Sequence, residues 1–276
     1  VEVRYNTARF EDVFITAEEI ARFYNCPIVL KMAHYQSVRD VRSQFSEAVR
    51  RAFHRLFWDL RDHYERRPTK TIEPPSFDTL QGYFDLEVSQ IPLPELMLTQ
   101  DLASHITAFS PRLERTYKFI VEKCAQGMKP TLVGYGPIET AIGNKFTLQY
   151  TVDLLYTVDE QEELLILAEP FTDDWIYRAL AGALQKGLVA QGMKPTAYVC
   201  THRKNPLMVT EEREEDSRQL ESLFWSYYRS EIADELPLGE QFRAGKMRGC
   251  GLCVYRSTCS TVRPGGLVGR MDALKA

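Results

Sequence analysis

Apolar residues recur at helical spacing most clearly from Val41 onward. Phe45, Ala48, Val49, Ala52, Phe53, Leu56, Phe57 and Leu60 form one stripe, and Gln44, Glu47, Arg50, Arg51, Arg55 and Asp59 fill the other faces. The pattern predicts a long amphipathic helix whose arginines read first as a solvated face and second as phosphate contacts. Upstream, FITAEEIARFYNC predicts a short helix with a capping box, Thr16 capping the first turn and Glu19 reaching back to the Thr16 amide. That helix ends at Cys26-Pro27.

Residues 67–111 carry several prolines and short mixed patterns, which predict an irregular insertion with short helices. A helix from about Arg112 to Gln126 follows and closes on AQGMKPT, where Gly127 is placed to take the left-handed C-cap conformation. The same seven residues return at 190–196, again after a helical pattern (Trp175 to Val189) and before a β-rich run, TAYVCTH. Their flanks show no extended similarity, so the copies are punctuation between helix and strand rather than an internal repeat. Between them lie three β-like stretches, TLVGYGPIE, KFTLQYTVDLLYTV and ELLILAE, with the polar turn DEQE joining the last two. A last amphipathic helix is expected over roughly Glu212 to Ile232. The order helix, β, β, β, helix, β predicts one α/β domain spanning residues 1–276, closed by a cysteine-rich segment at 240–276.

The formal charge of −4 and pI near 5.8 exclude wholesale coating of nucleic acid but not a local basic strip. No apolar run is long enough to span a membrane, and the first residues, VEVRYNTARFEDVF, lack the pattern of a secretory signal. The expectation is a cytoplasmic protein without a membrane partner. Three of the six cysteines are packed into CGLCVYRSTC, which in a reducing compartment points to a metal centre rather than to disulfides. Cys124 and Cys200 fall in a helix end and a strand, where small buried hydrophobes are expected.

A hairpin turning about Gln161 pairs residues whose numbers sum to about 322, which sets Asp153 beside Glu169. Two carboxylates so placed repel unless a divalent cation such as magnesium or manganese bridges them, or unless both simply face solvent at a sheet end. Phe171 shares a strand face with Glu169, so it stands where a lysine would meet an attacking water or a scissile phosphate. In helical projection His54 falls beside Ser43 and Glu47, off the centre of the apolar stripe.

These residues together resemble the iron-sulfur branch of the RecB-like PD-(D/E)XK nucleases, the group with the AddB nuclease domain and the CRISPR-associated "Cas four" exonucleases. Tyr24-Asn25-Cys26-Pro27 is similar to the family's first-cysteine phrase, and Cys250, Cys253 and Cys259 have its C-x₂-C-x₅-C spacing. His54 resembles its helical histidine ligand, Asp153 its strand aspartate, Glu169-Pro170-Phe171 its acid-x-lysine motif, and Tyr177 the tyrosine of its following helix. The resemblance covers most of the chain outside residues 67–111.

It implies a restriction-endonuclease-like core, a mixed central sheet flanked by helices, with a 4Fe-4S cluster on Cys26, Cys250, Cys253 and Cys259 joining the N- and C-terminal parts. Such a cluster would close a loop of more than two hundred residues. Zinc also suits four thiolates, and a zinc-stapled interaction module is the rival reading. His54, Asp153 and Glu169 become the divalent-metal ligands of an exonuclease if it is active. Phe171 in place of lysine implies impaired or lost hydrolysis, unless Lys145 or Lys186 substitutes for it. Arg243, Lys246, Arg248, Arg256 and Arg263 with Tyr255 form either a grip on a nucleic-acid strand or a solvated rim around the cysteines. The expected partners are DNA, as single strands or strand ends, and other proteins of a DNA-processing or CRISPR-type defence complex.

Overall fold

The computed structural model describes residues 13–25, 41–68, 72–91, 99–168, 173–201, 206–210 and 212–229. In chain order its elements are β1 (Val13–Thr16), α1 (Ala17–Asn25), α2 (Val41–Arg66), α3 (Phe77–Ser89), α4 (Thr99–Ala125), β2 (Lys129–Ile142), β3 (Phe146–Val158), β4 (Gln161–Leu167), α5 (Asp174–Ala190), β5 (Thr196–Cys200), β6 (Leu207–Val209) and α6 (Glu214–Tyr227). The capping box forms as its sequence requires. Glu19 accepts from the Thr16 amide at 2.8 Å, and the Thr16 hydroxyl accepts from the Glu19 amide at 3.2 Å. The residues ahead of it, VFIT, are strand rather than helix.

Both AQGMKPT copies close their helices as Schellman motifs. Met128 N–H bonds to the Lys123 carbonyl and Gly127 N–H to that of Cys124, while Met193 and Gly192 repeat the pair on Leu188 and Val189. The two glycines have φ of +83° and +85°, so each copy turns the chain from a helix into the next strand with the same device.

The six strands form one mixed sheet. Its spine is β3, which pairs antiparallel with β2 along one margin. Its other margin is shared: β1 runs parallel to Phe146–Gln149, and β4 runs antiparallel to Leu154–Val158. The C-terminal ends of β1 and β4 therefore converge beside residues 150–153 of β3, the kind of opening where α/β sheets place their chemistry. Beyond β4 lie β5, parallel to it, and then β6.

One apolar layer packs α1, α5 and α6 on one face of the sheet, around Leu148, Tyr150, Val152, Ile166 and Phe224. The second packs α2, α3 and α4 on the other face, around Phe53, Leu56, Leu113, Leu154, Tyr156 and Leu165. The mixed α/β architecture expected from sequence is thus present as a central sheet covered on both faces.

Residues 67–111, expected to be an irregular insertion with short helices, do contain helix. They supply α3 and the first half of α4, with Leu80 and Phe84 fully buried and Ile72 nearly so. The apolar series Phe109, Leu113, Ile120 and Cys124 continues across Pro111, so the helix runs through the proline, and core burial outweighs its local cost.

The hairpin between β3 and β4 differs from the one expected. It turns on Asp159 and Glu160, both at positive φ (49° and 66°), and its pairs, from Leu154 with Leu165 to Val158 with Gln161, sum to 319 rather than 322. That two-residue turn suits the right-handed twist of the strands. Continued one step, the register sets Asp153 opposite Ile166, not Glu169, which lies outside the described residues.

Candidate functional site

Asp153 is carried into the opening between β1 and β4, with 0% exposure. It bonds to side chains of α2, and the next residue, Leu154, belongs to the same layer, so the strand's alternation breaks at this point. Oδ1 lies 2.9 Å from His54 Nε2 and 3.0 Å from Arg50 Nε. Oδ2 accepts from the Leu167 amide at 2.7 Å, at the end of β4.

Arg50 reaches three elements at once. Its guanidinium meets Asp153 on β3, Glu18 on α1 at 2.7 Å and the Leu167 carbonyl at 3.2 Å. Arg50 and His54 are four residues apart on α2, so one helix face delivers both cations or donors to one carboxylate. Burial alone would raise the Asp153 carboxyl. The Arg50 guanidinium, the His54 bond and the Leu167 amide outweigh it and hold the carboxyl below its ordinary range.

Tyr150 lies in the apolar layer with α1, α5 and α6. Its burial pushes the phenol well above the usual value, with Glu18, Asp153 and Tyr177 adding to the shift and Arg50 opposing it. A second contact chain lies at the start of α5. Tyr24 donates to Asp173 at 2.8 Å, Trp175 Nε1 donates to the Tyr24 hydroxyl at 2.9 Å, and the Tyr24 and Trp175 rings meet edge-on at 5.3 Å. The end of α1, two residues before Cys26, is thereby fixed to the first turn of α5.

The structure brings His54 and Asp153 together, which projection of a single helix did not decide. It separates both substitute lysines from them. Lys145 precedes β3, eight positions from Asp153 or about 26 Å along a strand, and its ammonium sits over Trp225 at 4.6 Å. Lys186 lines a groove of about 350 Å³ with Ala141, Ile142 and Gly143 at that same far end of the sheet. Glu169, Phe171, the cysteines Cys26, Cys250, Cys253 and Cys259, and the basic rim Arg243, Lys246, Arg248, Tyr255, Arg256 and Arg263 lie outside the described residues.

Sequence reasoning missed Glu18 and read Arg50 only as one of a row of helix-face arginines. The available signal was the four-residue spacing of Arg50 and His54. Among the described residues no group of three histidine, cysteine or carboxylate side chains is arranged to hold a metal ion. His54 and Asp153 are a pair, and any cation binding Asp153 Oδ1 would compete with Arg50 for it. A guanidinium cannot act as a base, and this one is already engaged by two carboxylates and a backbone carbonyl.

No described helix is long and apolar enough to cross a membrane. No protein family matches the sequence, and no curated protein matches it. Among solved structures the chain is similar to one described as "Crystal structure of SSO0001", with 12% identity and a TM-score of 0.33 over 90% of this chain and 87% of that one, a likeness too slight to carry an argument.

Proposed function

We propose that this chain is a nucleic-acid-binding protein with a RecB-like PD-(D/E)XK core, stapled by a 4Fe-4S cluster, whose hydrolytic centre is impaired, and that it holds DNA within a larger DNA-processing or defence complex. The observation that carries this reading is the Arg50 guanidinium on the Asp153 carboxylate. The family places a divalent cation on that aspartate, and here an arginine, His54 and a backbone amide share its oxygens. Magnesium or manganese, when bound at such a centre, activates water and offsets charge on phosphate. Arg50 cannot supply the first of these.

The test is release of labelled nucleotides from single-stranded DNA with manganese, alongside a gel shift at low salt. Retention of the strand without release above a blank is expected. Release abolished by Asp153→Ala would overturn the impaired reading. It would favour the second one, an active exonuclease, to which the 2.9 Å approach of His54 to Asp153 lends support.

A further inference from the structure

Trp58 is 51% exposed on α2, an uncommon place for so large a ring. Its neighbours at helical spacing, His54, Arg55, Arg61 and Asp62, are all polar, so it is not the centre of an apolar protein-docking patch. Arg61 lies over the indole at 5.2 Å from the ring centroid. One turn toward the N-terminus stands His54 on Asp153, and one turn further Arg50. Arg50, His54, Trp58 and Arg61 therefore succeed one another along one helix at about 6 Å per turn, close to the reach of a nucleotide step.

We propose that this outer line of α2 is the track of a single-stranded nucleic acid, with a base stacked on Trp58 and its flanking phosphates on Arg55 and Arg61. The proposal rests on the nucleic-acid reading above and adds where the strand runs. Stacking on an aromatic face is tolerant of base identity, and guanidinium groups fork onto phosphate oxygens. Of the carboxylates already present, exposed Glu65 is exchangeable. Arg61 pairs with Glu65 in an exposed four-residue spacing, and such pairs contribute little. Arg51 and Arg55 both converge on Glu87, Arg51 also meeting Glu47, so that two guanidiniums share one buried carboxylate. Asp59 is taken by the Tyr83 hydroxyl and Asp62 by Arg66.

The experiment is fluorescence anisotropy of a labelled oligothymidine with the full chain across a salt series. Trp58→Ala is expected to weaken binding about 10-fold while leaving the salt slope unchanged, and Trp58→Phe to retain most of it. Arg61→Gln is expected to flatten the slope by about one. Because Trp58 is half-exposed, its variants should melt as the parent does. In a Trp175→Phe, Trp225→Phe background the oligonucleotide should quench the remaining Trp58 emission, a direct reading of contact. Unchanged binding by Trp58→Ala, or unquenched emission, overturns the track and leaves the nucleic-acid reading standing. Failure of the parent chain to bind at low salt overturns both. A change in self-association on Trp58→Ala without change in oligonucleotide binding would make the ring a protein contact and likewise overturn the track.

Discussion

Arg50 Nε lies 3.0 Å from Asp153 Oδ1, a cation seated on a carboxylate with no exposure of its own. A charge taken out of water is tolerated only when paired and hydrogen-bonded, and this one is engaged on both oxygens. The pair also ties α2 to the point where β1 and β4 part, so its loss is felt in both packing layers.

Arg50→Ala should destabilise the fold by about 3–5 kcal/mol, the usual cost of stranding one partner of a buried ion pair. Arg50→Lys should lose less, since a point charge keeps the compensation but not the fork reaching Glu18 and Leu167. Asp153→Asn on top of Arg50→Ala should cost less than the two changes summed. Urea unfolding of the four members of that cycle measures the coupling, and strict additivity would mean the pair contributes nothing.

The same contacts fix the acid side of the stability profile. Asp153 has a folded-state pKa held below its unfolded value, so the folded state binds its proton less readily. Its contribution is complete above the unfolded pKa of about 3.9 and is lost as pH falls through the lower folded value. Thermal melts from neutral pH down into this acid window should show a loss in the parent chain that Asp153→Asn largely lacks.

Where the sequence signal was local, it was readable. The capping box at Thr16 and Glu19, the stripe of α2 and the two glycine C-caps each involve residues within a few positions of one another. The hairpin turn lies within DEQE as expected, but it is centred on Asp159 and Glu160, two non-glycine residues at positive φ, rather than about Gln161. A three-residue error in register then moved Asp153 off its true neighbours. Within residues 67–111 the expected helices are present, but Pro111, which signals a helix boundary, lies inside α4 because burial of Phe109 and Leu113 overrides it. The site itself joins α1, α2, β3 and β4 across sequence separations of up to 117 residues, and no periodicity reports that Arg50 meets Leu167.

Glycines in this fold serve two different ends, and alanine substitution separates them. At Gly127 a Cβ meets nothing within 4 Å, so Gly127→Ala should cost only the left-handed backbone, about 1 kcal/mol. At Gly187 a Cβ would stand 2.3 Å from Thr140 Oγ1 and 2.9 Å from Ile138 Cγ2, where α5 rides against β2. Gly187→Ala should cost about 1–3 kcal/mol through overpacking, despite the better helix propensity of alanine. Denaturant midpoints should order the parent first, Gly127→Ala next and Gly187→Ala last.

The cysteines should fall into two chemical classes. Burial pushes the thiols of Cys124 and Cys200 up to about 12, so neither has appreciable thiolate near neutral pH. Peptide mapping after iodoacetamide at pH 8 should find both unmodified in the native protein and modified once urea unfolds it. Cys124→Ala and Cys200→Ala, made together, should leave iron and sulfide content unchanged, because neither residue is among the proposed cluster ligands. Cys26→Ser should instead remove iron and bleach the broad visible absorption of anaerobically purified protein, and because it follows α1 directly it tests whether the two ends of the chain share one cluster. A colourless parent protein carrying zinc would replace the cluster by a structural zinc site, and iron retained by Cys26→Ser would remove the N-terminal cysteine from the ligand set.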